Sequence, residues 1–342
     1  MLILFQTNLH GHRAEYVKHA LEWAEKNECK AIIWIMDGDM AEAKLTFEDY
    51  KSMSEVMVGP LDLTYLNSIS NSTDKVRLIF LDGDRNLFYG IKNFKKIANF
   101  QASFLLMRLN FPTTHSVREH FAFLVKFTLA LILKFSRKVE VKRLVFLRKS
   151  RISMFGQVRD PLPNQSDFMP MYGDQNRSVK QIGIVGTIDE RKSIDLAIQS
   201  VAELGMGAHL TLTGQVTKNY RERLAELVTA SQNVTLVDKY LSENEITSEI
   251  RKLDCFLVLQ KVNAPSGTLL RALDCGVPIV VGGAKILRSA SKAYPDLVTW
   301  APMKPKSLAL AIQRASSAEK VQTSGLPTIE DFAEDLLGGH ID

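Results

Sequence analysis

Short, almost purely apolar runs recur along the chain, separated by stretches whose apolar positions fall three or four residues apart. In the second half the runs are Ile182 to Val185, His209 to Thr213, Asn233 to Val237, Cys255 to Leu259 and Pro278 to Val281. Cys255 to Leu259 and Pro278 to Val281 lack polar alternation, as expected of strands buried on both faces of a parallel sheet. Between them, Ile194, Ala197, Ile198, Val201 and Leu204 share one face of a helix that Asp189 can cap and Gly205 can end. A second helix runs through Leu224 and Leu227. Ser242-Glu-Asn-Glu245 is a capping box opening a third, which carries Ile246, Ile250 and Leu253. This alternation predicts right-handed crossovers and a doubly wound α/β sheet.

The first half alternates more loosely. Leu2 to Phe5, Ala31 to Ile35, Val76 to Leu81 and Phe104 to Leu109 read as strands, with a helix from His12 to about Lys26 after the first. The proline- and glycine-bearing stretch from Met154 to Asp174 reads as an inter-domain linker, and Thr328 to Leu337 as a terminal helix. The expected organisation is an N-terminal domain over 1–165, a second over 166–325, and a helix with tail over 326–342. No internal repeat stands out.

A length of 342 residues suits two domains, and 46% hydrophobic with 24% charged residues is a globular composition. Cys29, Cys255 and Cys275 are odd in number and lack CxxC spacing. That favours a reducing compartment over a disulfide framework or a zinc site. The apolar stretch Met1 to Phe5 is too short for a signal peptide core and has no basic flank, so a cytoplasmic location is expected.

Charge changes the picture in one place. Between Val117 and Arg151 ten basic residues stand against Glu119 and Glu140, a local +8 in a chain of net +5. The same stretch holds the apolar run Phe121 to Phe135. Its fifteen residues, two of them lysine, are too few and too charged to span a bilayer. It suits either a core helix with a solvated basic end or a helix lying on an anionic membrane surface through 117–151. No nucleic-acid motif or basic–aromatic interleaving accompanies the charge, so no nucleic acid partner is expected.

The candidate chemistry lies between Gln181 and Pro278. The first strand runs into Gly186 and then Thr187-Ile188-Asp189-Glu190-Arg191-Lys192-Ser193. The segment closes with Ala264-Pro265-Ser266-Gly267-Thr268-Leu269-Leu270-Arg271, followed by Ala272-Leu273-Asp274-Cys275-Gly276-Val277-Pro278. This pattern resembles the C-terminal domain of the family 4, or group 1, glycosyltransferases of GT-B fold. There a strand and a Gly precede a Lys at a helix start, and a Glu-x7-Glu segment runs later into an Ala-x-x-x-Gly-x-Pro helix end. The resemblance covers about 140 residues.

It implies an α/β protein of GT-B fold. Two Rossmann-like, doubly wound parallel-sheet domains face each other, and a C-terminal helix crosses back to the first. It also implies transfer of a hexose from a nucleoside diphosphate sugar to a hydroxyl of a glycan or lipid-linked acceptor. Such transfer retains configuration and needs no metal and no cofactor beyond the donor. Cell-envelope or polysaccharide synthesis is the setting this suggests.

On the donor side, Lys192 stands where the family's helix-opening lysine stands, with Arg191 as a second cation and Thr187 where the family often has Arg. Gly186 and Gly214 end strands, and Gly permits close backbone approach. Ser266, Gly267 and Thr268 open a helix whose first amides can hold phosphate. The plain alternatives are surface cations and an ordinary serine cap. Asn263 and Arg271 occupy the eight-apart positions of the family's two glutamates. Asn can still bond a hydroxyl, whereas Arg only donates and suits a phosphate or carboxylate.

On the acceptor side, His10 or His12 in the loop after the first strand could orient a hydroxyl or move a proton. Exposed loop histidines without a role are common. Asp37-Gly-Asp39 and Asp82-Gly-Asp84 each follow an apolar run. Both are open to a metal-holding Asp-x-Asp or turn chemistry, and the second also to a phosphatase-like opening. The expectation is loops, with Asp82 or Asp84 as an acceptor-side or catalytic candidate. Gly183-Ile-Val-Gly186 lacks the third Gly and the later acidic residue of a dinucleotide site. The other readings kept open are a non-catalytic GT-B relative that binds a nucleotide or partner enzyme, and a nucleotide-sugar epimerase.

Overall fold

The computed structural model describes residues 1–9, 13–70, 76–107, 117–135, 138–145, 153–161, 178–261, 266–321 and 326–338. They divide into two compact units. One holds 1–111, 116–163 and 327–342; the other is mainly 164–326.

In the first unit the order is β1 (Leu2–Gln6), α1 (Arg13–Lys26), β2 (Ala31–Ile35), α2 (Met40–Thr46), β3 (Ser54–Val58) and α3 (Leu63–Ser70). Next come β4 (Arg77–Phe80), α4 (Gly83–Lys92), α5 (Phe94–Ile97), β5 (Gln101–Leu106), α6 (Val117–Lys134), β6 (Val139–Val145) and β7 (Gly156–Arg159). Among the described residues the strands form one sheet, β3-β2-β1-β4-β5-β6-β7, and every pairing is parallel.

Alternation along β1 divides the core. Ile3 and Phe5 join Phe80, Phe104 and Leu133 on one face, whereas Leu2 and Leu4 join Val17, Leu21 and Phe332 on the other. Burial on both faces explains why β1 is apolar throughout.

The second unit continues with β8 (Lys180–Val185), α7 (Ile194–Ala202), β9 (Ala208–Thr213), α8 (Arg221–Thr229), β10 (Val234–Val237), α9 (Glu243–Arg251) and β11 (Cys255–Gln260). It ends with α10 (Gly267–Asp274), β12 (Ile279–Gly283), α11 (Lys285–Ala293), β13 (Val298–Trp300) and α12 (Pro305–Ala315). Its sheet, β10-β9-β8-β11-β12-β13, is again parallel throughout. The expected capping box is present, with Ser242 and Glu245 satisfying each other's backbone amides.

The terminal helix α13 (Ile329–Leu337) belongs to the first unit. Phe332 stacks on Tyr16 of α1 with ring centres 5.2 Å apart, and Arg159 of β7 forks onto Asp335 at 2.8 and 3.1 Å. Lys142 of β6 donates to the carbonyls of Asp335 and Leu336 at 3.2 and 2.9 Å. It thereby satisfies acceptors that the helix end leaves open.

Two expectations are corrected here. The basic stretch after α6 contains a full strand, β6, in which Lys142 is buried rather than displayed on a surface. The start of the expected linker contributes β7, the edge strand of the sheet. Both escaped the apolar pattern because charged residues interrupt it, and Lys142 and Arg159 among them are spent on α13, far along the chain.

In each sheet the strand order reverses once, between β1 and β4 and between β8 and β11. In open α/β sheets, ligands bind beyond the strand ends at such points.

Candidate functional site: two strand-end clusters

At the end of β8 the backbone must turn sharply, and two glycines allow it. Gly186 has φ +94° and Gly214, after β9, has φ +142°. The Gly186 amide donates to the Thr213 carbonyl at 2.9 Å, and a Cβ on Gly214 would overlap the Gly186 carbonyl. This backbone-on-backbone packing admits no side chain at 214.

Beyond Gly186, Asp189 caps a 3-10 turn over Glu190–Lys192 by accepting the Arg191 amide at 3.0 Å. Ser193 is left-handed at φ 48°, and α7 begins only at Ile194. Asp189 therefore caps this turn rather than α7 itself.

The turn points the Lys192 chain back toward β8. Its Nζ donates to the Val185 carbonyl at 3.1 Å. Burial lowers its pKa to about 8; Asp189 opposes the shift and Arg191 adds to it. On the other side, Ser266 precedes α10 and its Oγ lies 3.2 Å from Thr268 Oγ1. The Thr268 methyl stands 3.1 Å from where a Cβ on Gly186 would lie. The first amides of α10, at Gly267 and Thr268, have no acceptor within the helix.

Gly186, Lys192, Ser266, Gly267 and Thr268 thus converge, with Gly214 holding Gly186 in place. Val185, Lys192, Gln260, Ser266 and Thr268 help line a cavity of about 20 Å³, room for roughly one water. A half-buried ammonium beside a helix N-terminus is suited to an anion.

Two expected donor-side cations are turned elsewhere. The Arg191 guanidinium closes on Asp189, with Nε–Oδ2 at 2.9 Å, and Arg271 Nη1 donates to Thr247 Oγ1 of α9 at 3.2 Å. Asn263, His10 and His12 lie outside the described residues.

The first unit carries a second cluster where β1 and β4 end. Asp82, buried, precedes α4, and its Oδ2 lies 3.1 Å from Arg13 Nε and 3.5 Å from Arg85 Nε. The Arg13 contact is an ion pair by distance without the alignment of a hydrogen bond. Arg13 Nη1 donates to Asn8 Oδ1 at 2.7 Å. Asn86 donates to the Asp82 carbonyl at 2.8 Å and lies 3.4 Å from Thr7 Oγ1.

Gln6, the last residue of β1, is fully buried, and among the described residues neither atom of its amide head has a partner. Such groups are rare in folded proteins and each calls for an explanation. Gln6, Thr7 and Asn86 were not foreseen as site residues. The available signal was a polar residue directly ending an apolar strand at a sheet's C-terminal edge.

Of the two Asp-Gly-Asp triplets, Asp37–Asp39 is a loop as expected, whereas Asp82-Gly-Asp84 runs straight into α4. Asp39 caps α2, accepting the Ala41 and Glu42 amides at 2.9 Å each. Asp84 lies in the first turn of α4, accepting the Met107 amide at 2.7 Å and pairing with Lys126 at 3.3 Å. Among the described residues, no three His, Cys, Asp or Glu side chains come together as a metal site would need.

Comparison with known proteins adds a family and a fold. Residues 179–317 match the family described as Glycosyl transferases group 1. Among curated proteins none matches the chain by sequence. Anabaena Alr3699/HepE, solved in complex with UDP-glucose, is 15% identical with a TM-score of 0.66, covering 99% of this chain and 98% of that one. WaaG, a glycosyltransferase involved in lipopolysaccharide biosynthesis, is 13% identical with a TM-score of 0.60, covering 99% and 100%. A glycosyltransferase from Rickettsia africae is 10% identical with a TM-score of 0.64, covering 98% and 93%. At these identities the structural likeness speaks for the fold, two parallel-sheet α/β units of GT-B type. With the family match over 179–317, the chain is a glycosyltransferase of GT-B fold.

Proposed function

We propose that this glycosyltransferase moves a hexose from a nucleoside diphosphate sugar, with a uridine nucleotide as the first candidate, to a hydroxyl of a glycan or lipid-linked acceptor. The observation that carries this is Lys192 at the N-terminus of α10 beside Gly186. When the sugar–oxygen bond breaks, negative charge gathers on the departing diphosphate. An ammonium and free helix amides aimed at that charge stabilise it without reorganisation. In this reading Lys192, Gly267 and Thr268 hold the diphosphate and no metal is required. Configuration at the sugar is retained, as the family resemblance implies. The UDP and UDP-glucose held by the Anabaena protein motivate the choice of nucleotide.

The polar cluster at the ends of β1 and β4 is assigned to the acceptor. A sugar hydroxyl both donates and accepts, which is what the unsatisfied Gln6 amide lacks. Asp82 orients the attacking hydroxyl, and His10 and His12, which follow Asn8 in the sequence, are the candidates to take its proton. Arg271, in place of the family's second glutamate, makes nucleotide recognition in this chain depart from the family pattern.

The test is direct. Calorimetric titration with UDP-glucose, UDP and a guanosine diphosphate sugar should show binding by one class. Nucleotide release on adding acceptor glycans should then report turnover. Binding that Lys192→Met leaves unchanged would overturn the donor assignment. Binding with no turnover on any hydroxyl acceptor would favour a binding-only role.

A further inference from the structure

Polar groups without a partner are not spread evenly over the molecule. Among the described residues eight buried side-chain atoms lack a hydrogen-bond partner. Four of them, Gln6 Nε2 and Oε1, Arg13 Nε and Asp82 Oδ2, lie where β1 and β4 end. Native folds leave few such groups, so their concentration at one strand-end edge points to a ligand that completes them.

The charges there are unequally matched. Arg13 Nε and Arg85 Nε approach the same carboxylate oxygen, Oδ2 of Asp82, at 3.1 and 3.5 Å. The neighbouring Asp84 is taken by Lys126 and the Met107 amide, and Asp39 by the start of α2. Asp37 follows β2, which stands two strands from β4 and so roughly 10 Å away. One positive charge is left over beside Asp82.

Hydrogen-bond donors are left over as well. Arg13 Nη1 donates to Asn8, whereas its Nη2 and both Nη atoms of Arg85 have no acceptor among the described residues. Asp82 stands at the N-cap of α4, where an aspartate normally accepts helix amides, yet its side chain accepts none of them. Turned to the two arginines, it leaves the Gly83 and Asp84 amides without an acceptor in the helix. The positive end of the ten-residue α4 adds to the same field. Arg85 is 54% exposed, so its fork is open to a ligand arriving from solvent.

We propose that the acceptor carries an anionic group, a phosphate or a carboxylate, close to the hydroxyl that receives the sugar, and that Arg85, Arg13 and the first amides of α4 bind it. This rests on the assignment of the cluster to the acceptor and adds the acceptor's chemical class. Gln6 and Asp82 meet hydroxyls, and the arginine fork beside them meets the anion in charge-assisted bonds. The Asp82 carboxylate holds both guanidinium groups in place before the anion arrives. A neutral acceptor of the same shape forgoes those bonds, so the site selects by charge.

The test titrates the full chain, alone and in the presence of UDP, with glucose, glucose 6-phosphate and glucuronate, read by ligand-observed NMR. One or both anionic probes should bind at least about tenfold more tightly than glucose, the difference a charge-assisted bond makes. Which of them is the tighter tells phosphate from carboxylate. Arg85→Gln should bring the anionic probe down to the value for glucose, with the melting temperature unchanged because the side chain is largely exposed. Lys192→Met should weaken UDP and leave the anionic probe as it was.

Glucose binding as tightly as both anionic probes, or no binding of any probe, would overturn the proposal. So would anionic binding that survives Arg85→Gln but is lost in Lys192→Met or displaced by UDP, since the anion would then occupy the donor corner. The UDP titration keeps the two readings apart. UDP bound without preference for an anionic probe rejects the anionic acceptor and leaves the donor assignment standing. Arg85-dependent probe binding without any nucleotide binding rejects the donor assignment and leaves this anion site.

Discussion

The clusters at the two strand-order reversals are built on opposite principles. In the second unit, Gly186, Gly214, Lys192 and the Ser266–Thr268 helix start form a corner whose polar groups are positioned by backbone turns. In the first unit, Gln6, Thr7, Arg13, Asp82 and Asn86 form a buried patch in which side chains hold one another, and Gln6 is left unsatisfied. A corner shaped by backbone geometry suits a ligand with a fixed anionic part. A patch of side-chain hydrogen-bonding groups suits hydroxyls, whose arrangement varies between acceptors.

The sharpest way to break this contrast is Gly214→Ala. Its φ of +142° and its contact with the Gly186 carbonyl leave no place for a methyl group. The variant should lose about 3 kcal/mol of stability in urea melts, from strain and displaced backbone together, and should lose donor binding. A change under about 0.5 kcal/mol would mean the corner is not held by the backbone.

Next in size is Lys192. Lys192→Met should weaken donor binding at least tenfold, the loss of about 1.5–3 kcal/mol for a charge-assisted bond, without lowering the melting temperature. The pH dependence sharpens this. Below about 8 the ammonium is protonated, and above it the charge is lost. Donor affinity measured by titration should therefore fall as pH rises past about 8, and Lys192→Arg should remove that fall. The linked stability runs the other way. The unfolded lysine keeps its proton up to about its ordinary value of 10.5, so the fold gains stability with pH between there and about 8.

The first-unit cluster should respond with the opposite sign. Gln6→Leu removes a buried amide that has no partner among the described residues, so thermal melts should show about 1 kcal/mol of added stability. The same change should raise the KM for acceptor and leave donor affinity alone. Destabilisation would mean the amide is satisfied in solution.

The smallest expected effect is at Arg271. Arg271→Glu breaks the bond to Thr247 and brings a carboxylate near Asp274, whose pKa burial already raises. About 1 kcal/mol of lost stability and no gain in uridine or guanosine diphosphate sugar affinity are expected. Tighter binding would show that the site is built for ribose hydroxyls after all.

The two clusters also differ in how far the sequence disclosed them. Gly186 with Lys192, and Ser266–Thr268 with its helix start, could each be picked out because within each segment strand end, glycine and helix start are neighbours along the chain; that the two segments meet follows from β8 lying beside β11. Asp82 could be singled out only as one of two similar triplets. Its pairing with Arg13 depends on β1 and β4 lying side by side, 75 residues apart in register from Leu2 to Arg77. Arg271 stood out by its spacing, but its direction toward α9 is a matter of helix packing.

What the sequence by itself determined is the alternation of buried parallel strands with amphipathic helices, the capping box at Ser242, the terminal helix, and the Gly186–Lys192 turn and Ser266–Thr268 helix start taken separately. Each of these is written in residues within a few positions of one another, and local periodicity and turn chemistry suffice to specify it. Only the tertiary structure decided that β6 and β7 complete the first sheet, that Lys142 serves the end of α13, and that α6 has two apolar faces of which one is left bare. The reason is that a charge or an apolar side chain carries no label for its partner. Whether Lys142 meets water, lipid or a helix carbonyl is settled by the elements that fold against it, and those come from nearly 200 residues away.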